Sequence, residues 1–195
     1  MHIHIIDHLE AYDEARVMRL IDTLPQWRKE AALRHKHLTG KRECALAYLA
    51  LCELLQTHYA ITSMPRFDYG TNDKPVLTDY PHIHFNLSHC RSAVGCVVSD
   101  KPCGLDIERI RRAEDALIRH TMNEEEQTEI ANAADKDLAF TILWTRKEAV
   151  LKLAGTGISG GLHNALSPDK LESISLTTTA RTDYVFSTAV AKEKD

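Results

Sequence analysis

Two short acidic segments carry the residue types best suited to chemistry. In Gly104–Glu108, Asp106 and Glu108 alternate with large aliphatic residues, so on a β-strand both carboxylates leave one face while the aliphatic side chains enter the core. Further along, Glu148 and Lys152 are four residues apart and would share one face of a helix. If the strand and the helix meet, three carboxylates and a lysine form a site for Mg²⁺ and phosphate.

The composition limits the classes of function. With 195 residues and a formal net charge of -4 at pH 7, the chain can form one domain or two small ones and has no overall attraction for nucleic acid. No apolar run is long enough to cross a membrane, and the N-terminal segment lacks the basic start and apolar stretch of a signal peptide. We therefore expect a cytoplasmic protein that binds neither nucleic acid nor a membrane.

The soft ligands in the sequence do not suggest a zinc site. The 5 cysteines are odd in number and form no CxxC pair, which favours reduced thiols in the core over a disulfide framework. The closely spaced histidines, His2 with His4 and His35 with His37, have no cysteine or acidic partner at ligand-like spacing. Hard carboxylate oxygens instead favour Mg²⁺ or Mn²⁺.

Hydrophobic periodicity predicts a mixed order of helices and strands in the first half of the chain. The predicted elements are a strand over 2–6, helices over 13–23, 27–36 and 41–59 with a break at 39–40, a loop over 63–81, and a meander of strands over 83–88, 94–98 and 104–108. Lys41 and Arg42 would then lie in the first turn of the third helix.

The second half is predicted to be mainly helical, with a terminal hairpin. The predicted elements are a helix over 113–121, a helix capped by Asn123 and Glu126 that runs to 133, a helix over 135–154 stopped by Gly155, and a hairpin over 174–190 that turns near 181–183. Residues 192–195 are expected to fray.

Five motifs, taken in order, resemble the Sfp-type 4′-phosphopantetheinyl transferase family. They are Lys74-Pro75, Asn86–His89, Gly104–Glu108, Trp144-x-x-Lys147-Glu148-Ala149-x-x-Lys152 and Gly155-x-Gly157. Each motif alone is common, but the ordered set, which lies between Lys41 and Leu166, is specific. The resemblance implies an α+β protein of two similar halves, 1–100 and 101–195, related by a pseudo-twofold axis with the active site in the cleft between them.

The resemblance also implies a reaction. A serine of an apo acyl, peptidyl or polyketide carrier protein attacks the β-phosphorus of coenzyme A, the phosphopantetheine arm is transferred, and 3′,5′-ADP leaves, as in a holo-[acyl-carrier-protein] synthase. By the resemblance, Asp106, Glu108 and Glu148 hold Mg²⁺ or Mn²⁺, Glu148 also accepts the serine proton, and Lys152 holds the phosphate on the leaving side. A monomer is expected, because one chain supplies both sides of the site.

On the nucleotide side the resemblance suggests five further contacts. Ser88 and His89 would contact the phosphates of coenzyme A, and Lys74 would pack by the adenine. Lys41 and Arg42 would be candidates for the 3′-phosphate.

Each motif also has an ordinary explanation. Glu148 and Lys152 alone form a surface salt bridge, and Trp144 alone is a core residue. Two other functions stay open: a different Mg²⁺-dependent phosphoryl-transfer enzyme or hydrolase that uses the same carboxylates on nucleotides, and a non-catalytic relative that binds coenzyme A or a carrier domain. Lys147 faces differently from Glu148, and we expect it at the edge of the site or in an ion pair.

Overall fold

The computed structural model describes residues 1–70, 74–157 and 161–193, which form seven α-helices and three antiparallel sheets. The α+β fold class is therefore confirmed. The strands are β1 His2–Ile6, β2 Phe67–Tyr69, β3 Pro75–Leu77, β4 His84–His89, β5 Val94–Ser99, β6 Cys103–Arg109, β7 Ile174–Ala180 and β8 Tyr184–Ala191. The helices are α1 Glu14–Asp22, α2 Gln26–Leu33, α3 Leu38–Tyr59, α4 Asp115–Thr121, α5 Glu124–Asn132, α6 Lys136–Ala154 and α7 Pro168–Glu172.

Both halves of the chain contain the same order of strands around a long helix. In the N-terminal half, β5 lies between β1 and β4, and α3 packs on this sheet. In the C-terminal half, β8 lies between β6 and β7, and α6 packs on that sheet. In each sheet the last strand in sequence is central, and the long helix comes between the first two strands. This shared order supports two similar halves divided near residue 100, while the pseudo-twofold axis stays a prediction.

The helix ends follow the signals in the sequence. The side chain of Asp13 caps α1 by accepting a hydrogen bond from the backbone N–H of Arg16 at 2.7 Å. Asn123 and Glu126 form the predicted capping box at the start of α5. Gly155 ends α6 with a φ of 67°, a left-handed conformation that favours glycine.

The longest helix, α3, begins earlier than predicted. It runs over Leu38–Tyr59, so the expected break at Gly40 was wrong, and Lys41 and Arg42 do not open the helix. A Cβ on Gly40 would lie 2.7 Å from Nδ1 of His35. The glycine therefore allows close packing of the helix start against the α2–α3 link, and it does not interrupt the helix.

Two other predictions fail because they depend on pairing between segments. The predicted loop over 63–81 contains the antiparallel hairpin of β2 and β3, of which residues 71–73 lie outside the described residues. The predicted meander ends at β5, because β6 pairs with β8 in the second sheet.

Helices α2 and α4 are also shorter than expected, since α2 ends at Leu33 and α4 begins at Asp115. The terminal hairpin of β7 and β8 is confirmed, and residues 194–195 lie outside the described part.

The strand with the first two carboxylates lies directly against α6. An added Cβ on Gly104 would lie 2.1 Å from the carbonyl oxygen of Ala149 and 2.5 Å from the backbone nitrogen of Leu153. Leu105 and Ile107 are 0% and 1% exposed, as the alternation in the sequence predicted. Gly104 therefore lets β6 and α6 approach through their backbones.

All five cysteines are free thiols, and two of them, Cys96 and Cys103, are buried. Burial raises the pKa of Cys103 to about 12, so this thiol stays protonated at neutral pH. Within the described ranges, no helix is long and apolar enough to cross a membrane.

We predict that Gly104→Ala destabilises the protein by about 1–3 kcal/mol or more, because the new methyl group meets backbone atoms that cannot rotate away. Urea unfolding measures this change as a lower midpoint. Gly70→Ala is the matched control, since among the described residues outside its chain neighbours the nearest atom, the carbonyl oxygen of Lys74, would lie 3.5 Å from the added Cβ. Equal midpoints for the two variants would contradict the close approach of β6 to α6.

Candidate active site

One open cavity of about 290 Å³ brings together the predicted acidic residues of β6 and α6. It is lined by Leu87, Ser88, His89, Asp106, Glu108, Trp144, Glu148 and Lys152. The strand supplies Asp106 and Glu108, and one face of the helix supplies the last three residues of the list. The strand and the helix therefore meet, which is the condition that the sequence set for a shared site.

An ion pair connects the helix to the strand inside this cavity. Nζ of Lys152 donates to Oδ1 of Asp106 at 2.6 Å and to Oγ of Ser88 at 3.1 Å. The Ser88 hydroxyl donates to the same Asp106 oxygen at 3.3 Å. The Asp106 side chain is 5% exposed and that of Lys152 is 30% exposed, so this contact is far less screened than a surface salt bridge.

Two polar side chains of β4, in the N-terminal half, form hydrogen bonds with the backbone of β6, in the C-terminal half. Oδ1 of Asn86 accepts a hydrogen bond from the N–H of Leu105 at 2.9 Å, and Oγ of Ser88 accepts one from the N–H of Ile107 at 3.1 Å. The backbone donors on both sides of Asp106 are thereby satisfied by the N-terminal half. Sequence analysis placed Ser88 at the phosphates and missed this role of Asn86, although the two lie on one face of β4 at a spacing of two.

The negative charge of the carboxylates in the cavity exceeds the positive charge that neighbouring side chains supply. Burial raises the pKa of Glu148 and of Glu108, and the adjacent Asp106 carboxylate raises both further. Lys152 opposes this effect without cancelling it, and Nε1 of Trp144 donates to Glu108 at 3.2 Å. Such a cluster is stabilised by an added cation.

Two buried carboxylate oxygens also indicate a site that an added cation would stabilise. Oδ2 of Asp106 and Oε1 of Glu148 have no hydrogen-bond partner in the described part of the chain. Unpaired buried oxygens of this type fit the preference of Mg²⁺ or Mn²⁺ for hard ligands. Among residues 1–70, 74–157 and 161–193, however, no three His, Cys, Asp or Glu side chains already form a group that could hold a metal ion. The oxygens thus fit a cation in type, and they are not preassembled around one.

Lys147 points away from the cavity and is fully buried. Its Nζ lies 2.5 Å from Oε2 of Glu126 and donates to the carbonyl oxygens of Thr121 and Leu162, both at 2.9 Å. The expected ion pair is confirmed, and the alternative position at the edge of the site is not. Burial lowers the pKa of Lys147, an effect that its pairing with Glu126 opposes.

A second cavity of about 300 Å³ shares two lining residues, Leu87 and His89, with the first. Its other lining residues are Arg28, His35, Gly40, Glu43, Cys44, Ala47, Phe67, Tyr69 and Pro75. Nε2 of His89 lies 3.4 Å from Oε2 of Glu43. Neither Glu43 nor Arg28 was predicted as a site residue. Arg28 could have been recognised as buried, because it lies one turn before the buried Ala32 on α2.

Arg28 is the buried cation of this second cavity. It is 7% exposed, and its Nη2 donates to the carbonyl oxygen of Cys44 at 2.8 Å. Its guanidinium lies over the rings of Tyr48 and Phe67 at 5.6 Å and 5.4 Å from their centroids. Its Nε is buried and has no hydrogen-bond partner within the described residues. The Nε of Arg42 is likewise buried without a partner among the described residues, so lining the second cavity is what distinguishes Arg28.

Three cations predicted for the nucleotide side are not brought together. Nη1 of Arg42 donates to the carbonyl oxygen of Leu9 at 2.7 Å. Lys41 and Lys74 are not among the residues that line either cavity. Lys74 instead donates to the carbonyl oxygen of Leu153 at 2.7 Å, at the end of α6. His89 lines both cavities and Ser88 lines the first, and their contacts with phosphate stay a prediction.

Comparison with known proteins identifies the family. A model of the 4′-phosphopantetheinyl transferase superfamily matches residues 102–192. The chain is 31% identical over 163 residues to the 4′-phosphopantetheinyl transferase psf-1 of Bacillus pumilus, a match that covers 80% of this chain and 70% of that protein. The chain belongs to the Sfp-type 4′-phosphopantetheinyl transferases. All three carboxylates and Lys152 lie in the part that this superfamily model matches.

Two further relatives carry the same family name. The chain is 26% identical over 145 residues to the 4′-phosphopantetheinyl transferase Sfp of Bacillus subtilis strain 168, over 72% of this chain and 64% of that protein. It is 29% identical over 138 residues to the 4′-phosphopantetheinyl transferase AcpT of Salmonella typhimurium, over 64% of this chain and 72% of that protein. The chain thus matches about two thirds of the length of these phosphopantetheinyl transferases.

The raised pKa of Glu148 gives a stability prediction for the metal-free protein. Because folding raises this pKa, the folded state loses stability as pH rises from the ordinary carboxyl value, about 4.3, through the raised one. Glu148→Gln removes this cost. In EDTA at pH 7 we expect the variant to melt higher than wild type by roughly 2–4 °C, the shift that 1 kcal/mol produces in a chain of this size.

Differential scanning calorimetry between pH 4 and pH 8 checks this prediction, and the gain should shrink toward pH 4, where the carboxyl group is protonated in both states. The control is Glu129→Gln, on an exposed position of α5, which should melt like wild type at every pH. A Glu148→Gln variant that melts below wild type at neutral pH would show that this carboxylate is not strained by its neighbours.

Proposed function

We propose that this chain transfers the 4′-phosphopantetheine arm of coenzyme A to a serine of an apo acyl, peptidyl or polyketide carrier protein, with release of 3′,5′-ADP. The holo-[acyl-carrier-protein] synthase type of activity is part of the proposal. The observation that carries it is the pair of buried, unpaired oxygens of Asp106 and Glu148, which lie in one cavity with the cation of Lys152. Membership in the family supports the same reaction.

The proposal includes a divalent cation. Asp106, Glu108 and Glu148 would be its protein ligands, and the excess negative charge of the group and the unpaired oxygens of Asp106 and Glu148 support this set. Mg²⁺, or Mn²⁺ in its place, would neutralise charge on the pyrophosphate as the phosphorus–oxygen bond breaks. The carboxylates line one cavity but are not grouped around a metal ion in the described part of the chain, so the proposal requires them to move together.

The side chains of α6 carry the proton and the phosphate charge. The serine oxygen forms a bond to the β-phosphorus of coenzyme A, and the bond from that phosphorus to the bridging oxygen of 3′,5′-ADP breaks. Glu148 accepts the serine proton, directly or through a water. Lys152, one turn further along the same face, holds the negative charge that develops on the leaving phosphate. Its contacts with Asp106 and Ser88 keep the ammonium group in the cavity before the substrate arrives.

We place the nucleotide end of coenzyme A in the second cavity, with Ser88 and His89 at the phosphates. Lys41 and Arg42 were expected at the 3′-phosphate, but the bond from Arg42 to the Leu9 carbonyl turns its guanidinium to another partner. Arg28 is better supported as a cation for this end of the ligand, because it lines the second cavity and Arg42 lines neither cavity.

A cytoplasmic monomer is the state that we propose for the enzyme. Ser88 and His89 come from the N-terminal half, and the carboxylates and Lys152 come from the C-terminal half of the same chain. Both walls of the cavity are therefore supplied without a second subunit.

Mass spectrometry of a carrier protein tests the proposal. The purified chain, coenzyme A and Mg²⁺ should add one phosphopantetheine arm to the serine of an apo carrier protein, and EDTA should abolish the addition. Glu148→Gln should lower kcat by roughly 10²–10⁴, the range for loss of a general base, while the exposed Glu129→Gln control keeps wild-type turnover.

The two alternative functions give different outcomes in the same assay. Cleavage of coenzyme A with an unmodified carrier would indicate a hydrolase. Binding of coenzyme A without any cleavage, on a panel of acyl, peptidyl and polyketide carriers, would indicate a non-catalytic relative. Either result contradicts the proposed transferase.

A further inference from the structure

Lys74 reaches from the N-terminal half of the chain to the end of α6. Its Nζ donates to the carbonyl oxygen of Leu153 at 2.7 Å and to that of Cys103 at 3.3 Å. Leu153 lies in the last turn of α6, and Cys103 is the first residue of β6. One ammonium group thus bonds to both elements that carry the carboxylates of the cavity.

The end of α6 needs a group of this kind. The last four carbonyl groups of a helix have no intrahelical donor, and their dipoles make that end of the helix negative. A cation that donates hydrogen bonds satisfies both conditions. Burial removes water from the ammonium group of Lys74 and thereby lowers its pKa, so the two carbonyl oxygens replace the water as hydrogen-bond acceptors.

The stem of Lys74 also packs against the helix stop. An added Cβ on Gly155 would lie 3.3 Å from Cδ of Lys74. Gly155 and Thr156 both donate their backbone N–H groups to the carbonyl oxygen of Leu151, at 2.9 Å and 3.4 Å. The closing turn of α6 therefore depends on a glycine that leaves room for the lysine stem.

In the N-terminal half, Lys74 directly precedes the wall of the second cavity and does not line it. The next residue, Pro75, begins β3 and lines that cavity together with Phe67 and Tyr69 of β2. The backbone carbonyl of Lys74 also accepts a hydrogen bond from Gly70 at 2.8 Å, which closes the hairpin of β2 and β3. Movement of this hairpin would therefore be transmitted to the end of α6 through one side chain.

We propose that Lys74 is a positioning residue that fastens the β2–β3 wall of the nucleotide cavity to the ends of β6 and α6. It acts on the reaction through the last turn of α6, which carries Lys152, and it does not contact the adenine or a phosphate. The inference rests on the proposed phosphopantetheinyl transfer for its catalytic consequence. The fastening itself is a property of the free protein and can be measured without any substrate.

Hydrogen exchange of the free protein tests the fastening. Lys74→Met keeps the length and the apolar stem of the side chain and removes all three donors, so amides of residues 153–157 should exchange roughly tenfold faster than in wild type. Lys74→Arg, which keeps a cation and donors, should recover most of the protection. Lys101→Met is the matched control, because it removes a lysine whose exposed ammonium pairs with Glu193 at 2.8 Å. If Lys74→Met does not fold, Lys74→Gln retains part of the stem and an uncharged amide that can donate, and should show an intermediate rate.

Steady-state kinetics of phosphopantetheine transfer separates positioning from direct contact. We expect Lys74→Met to lower kcat by roughly tenfold with less than a twofold change in KM for coenzyme A, and Lys74→Arg to restore kcat. Unchanged exchange at residues 153–157 in Lys74→Met, or a raised KM with unchanged kcat, would overturn the proposal. If Lys74→Met exchanges faster but the wild-type protein transfers no phosphopantetheine, the fastening is supported and the proposed function is contradicted.

Discussion

The close approach of β6 to α6 is the constraint on which the site depends. A side chain at Gly104 would have to occupy the space of the Ala149 carbonyl oxygen, 2.1 Å from the added Cβ. Because the two backbones touch there, the next residue on the same face of the strand, Asp106, lies 2.6 Å from the ammonium group of Lys152 on the helix. Glu148 is one turn before Lys152, so the same approach brings the third carboxylate into the cavity.

The N-terminal half completes the site with side chains in place of a shared sheet. Strands β4 and β6 lie next to each other but belong to different sheets, and Asn86 and Ser88 supply the acceptors that a pairing strand would have supplied. If β4 and β6 were paired in one sheet, backbone groups would make these bonds and the two side chains would not contact β6. Each of the two side-chain hydrogen bonds contributes about 0.5–1.5 kcal/mol to stability and also fixes the strand around Asp106. The strand that carries Asp106 is therefore hydrogen-bonded from both halves of the chain.

The parts of the site that the sequence predicted are properties of single elements. Alternation over Gly104–Glu108 requires only a strand, and the spacing of Glu148 and Lys152 requires only a helix, so both could be recognised locally. The capping box at Asn123 and the stop at Gly155 are likewise local signals, and the structure contains both.

The parts that could not be predicted depend on contacts between distant segments. Gly40 has the same local preference whether it interrupts a helix or packs against His35, and only the fold distinguishes the two cases. Pairing of β6 with β8 joins residues about eighty positions apart, beyond the reach of any periodicity window. Arg28 is held at the second cavity by the carbonyl oxygen of Cys44, and Arg42 is turned from it by a carbonyl group of the N-terminal segment.

A crystal structure with coenzyme A and Mn²⁺ tests the central claim most directly, because anomalous scattering locates the metal without assumptions about its ligands. The account predicts a single strong peak about 2.1 Å from Oδ2 of Asp106 and from Oε1 of Glu148. The pyrophosphate of coenzyme A should lie within hydrogen-bonding distance of Nζ of Lys152. A metal peak away from these oxygens, or a pyrophosphate bound outside the cavity that Ser88 and Lys152 line, would contradict it.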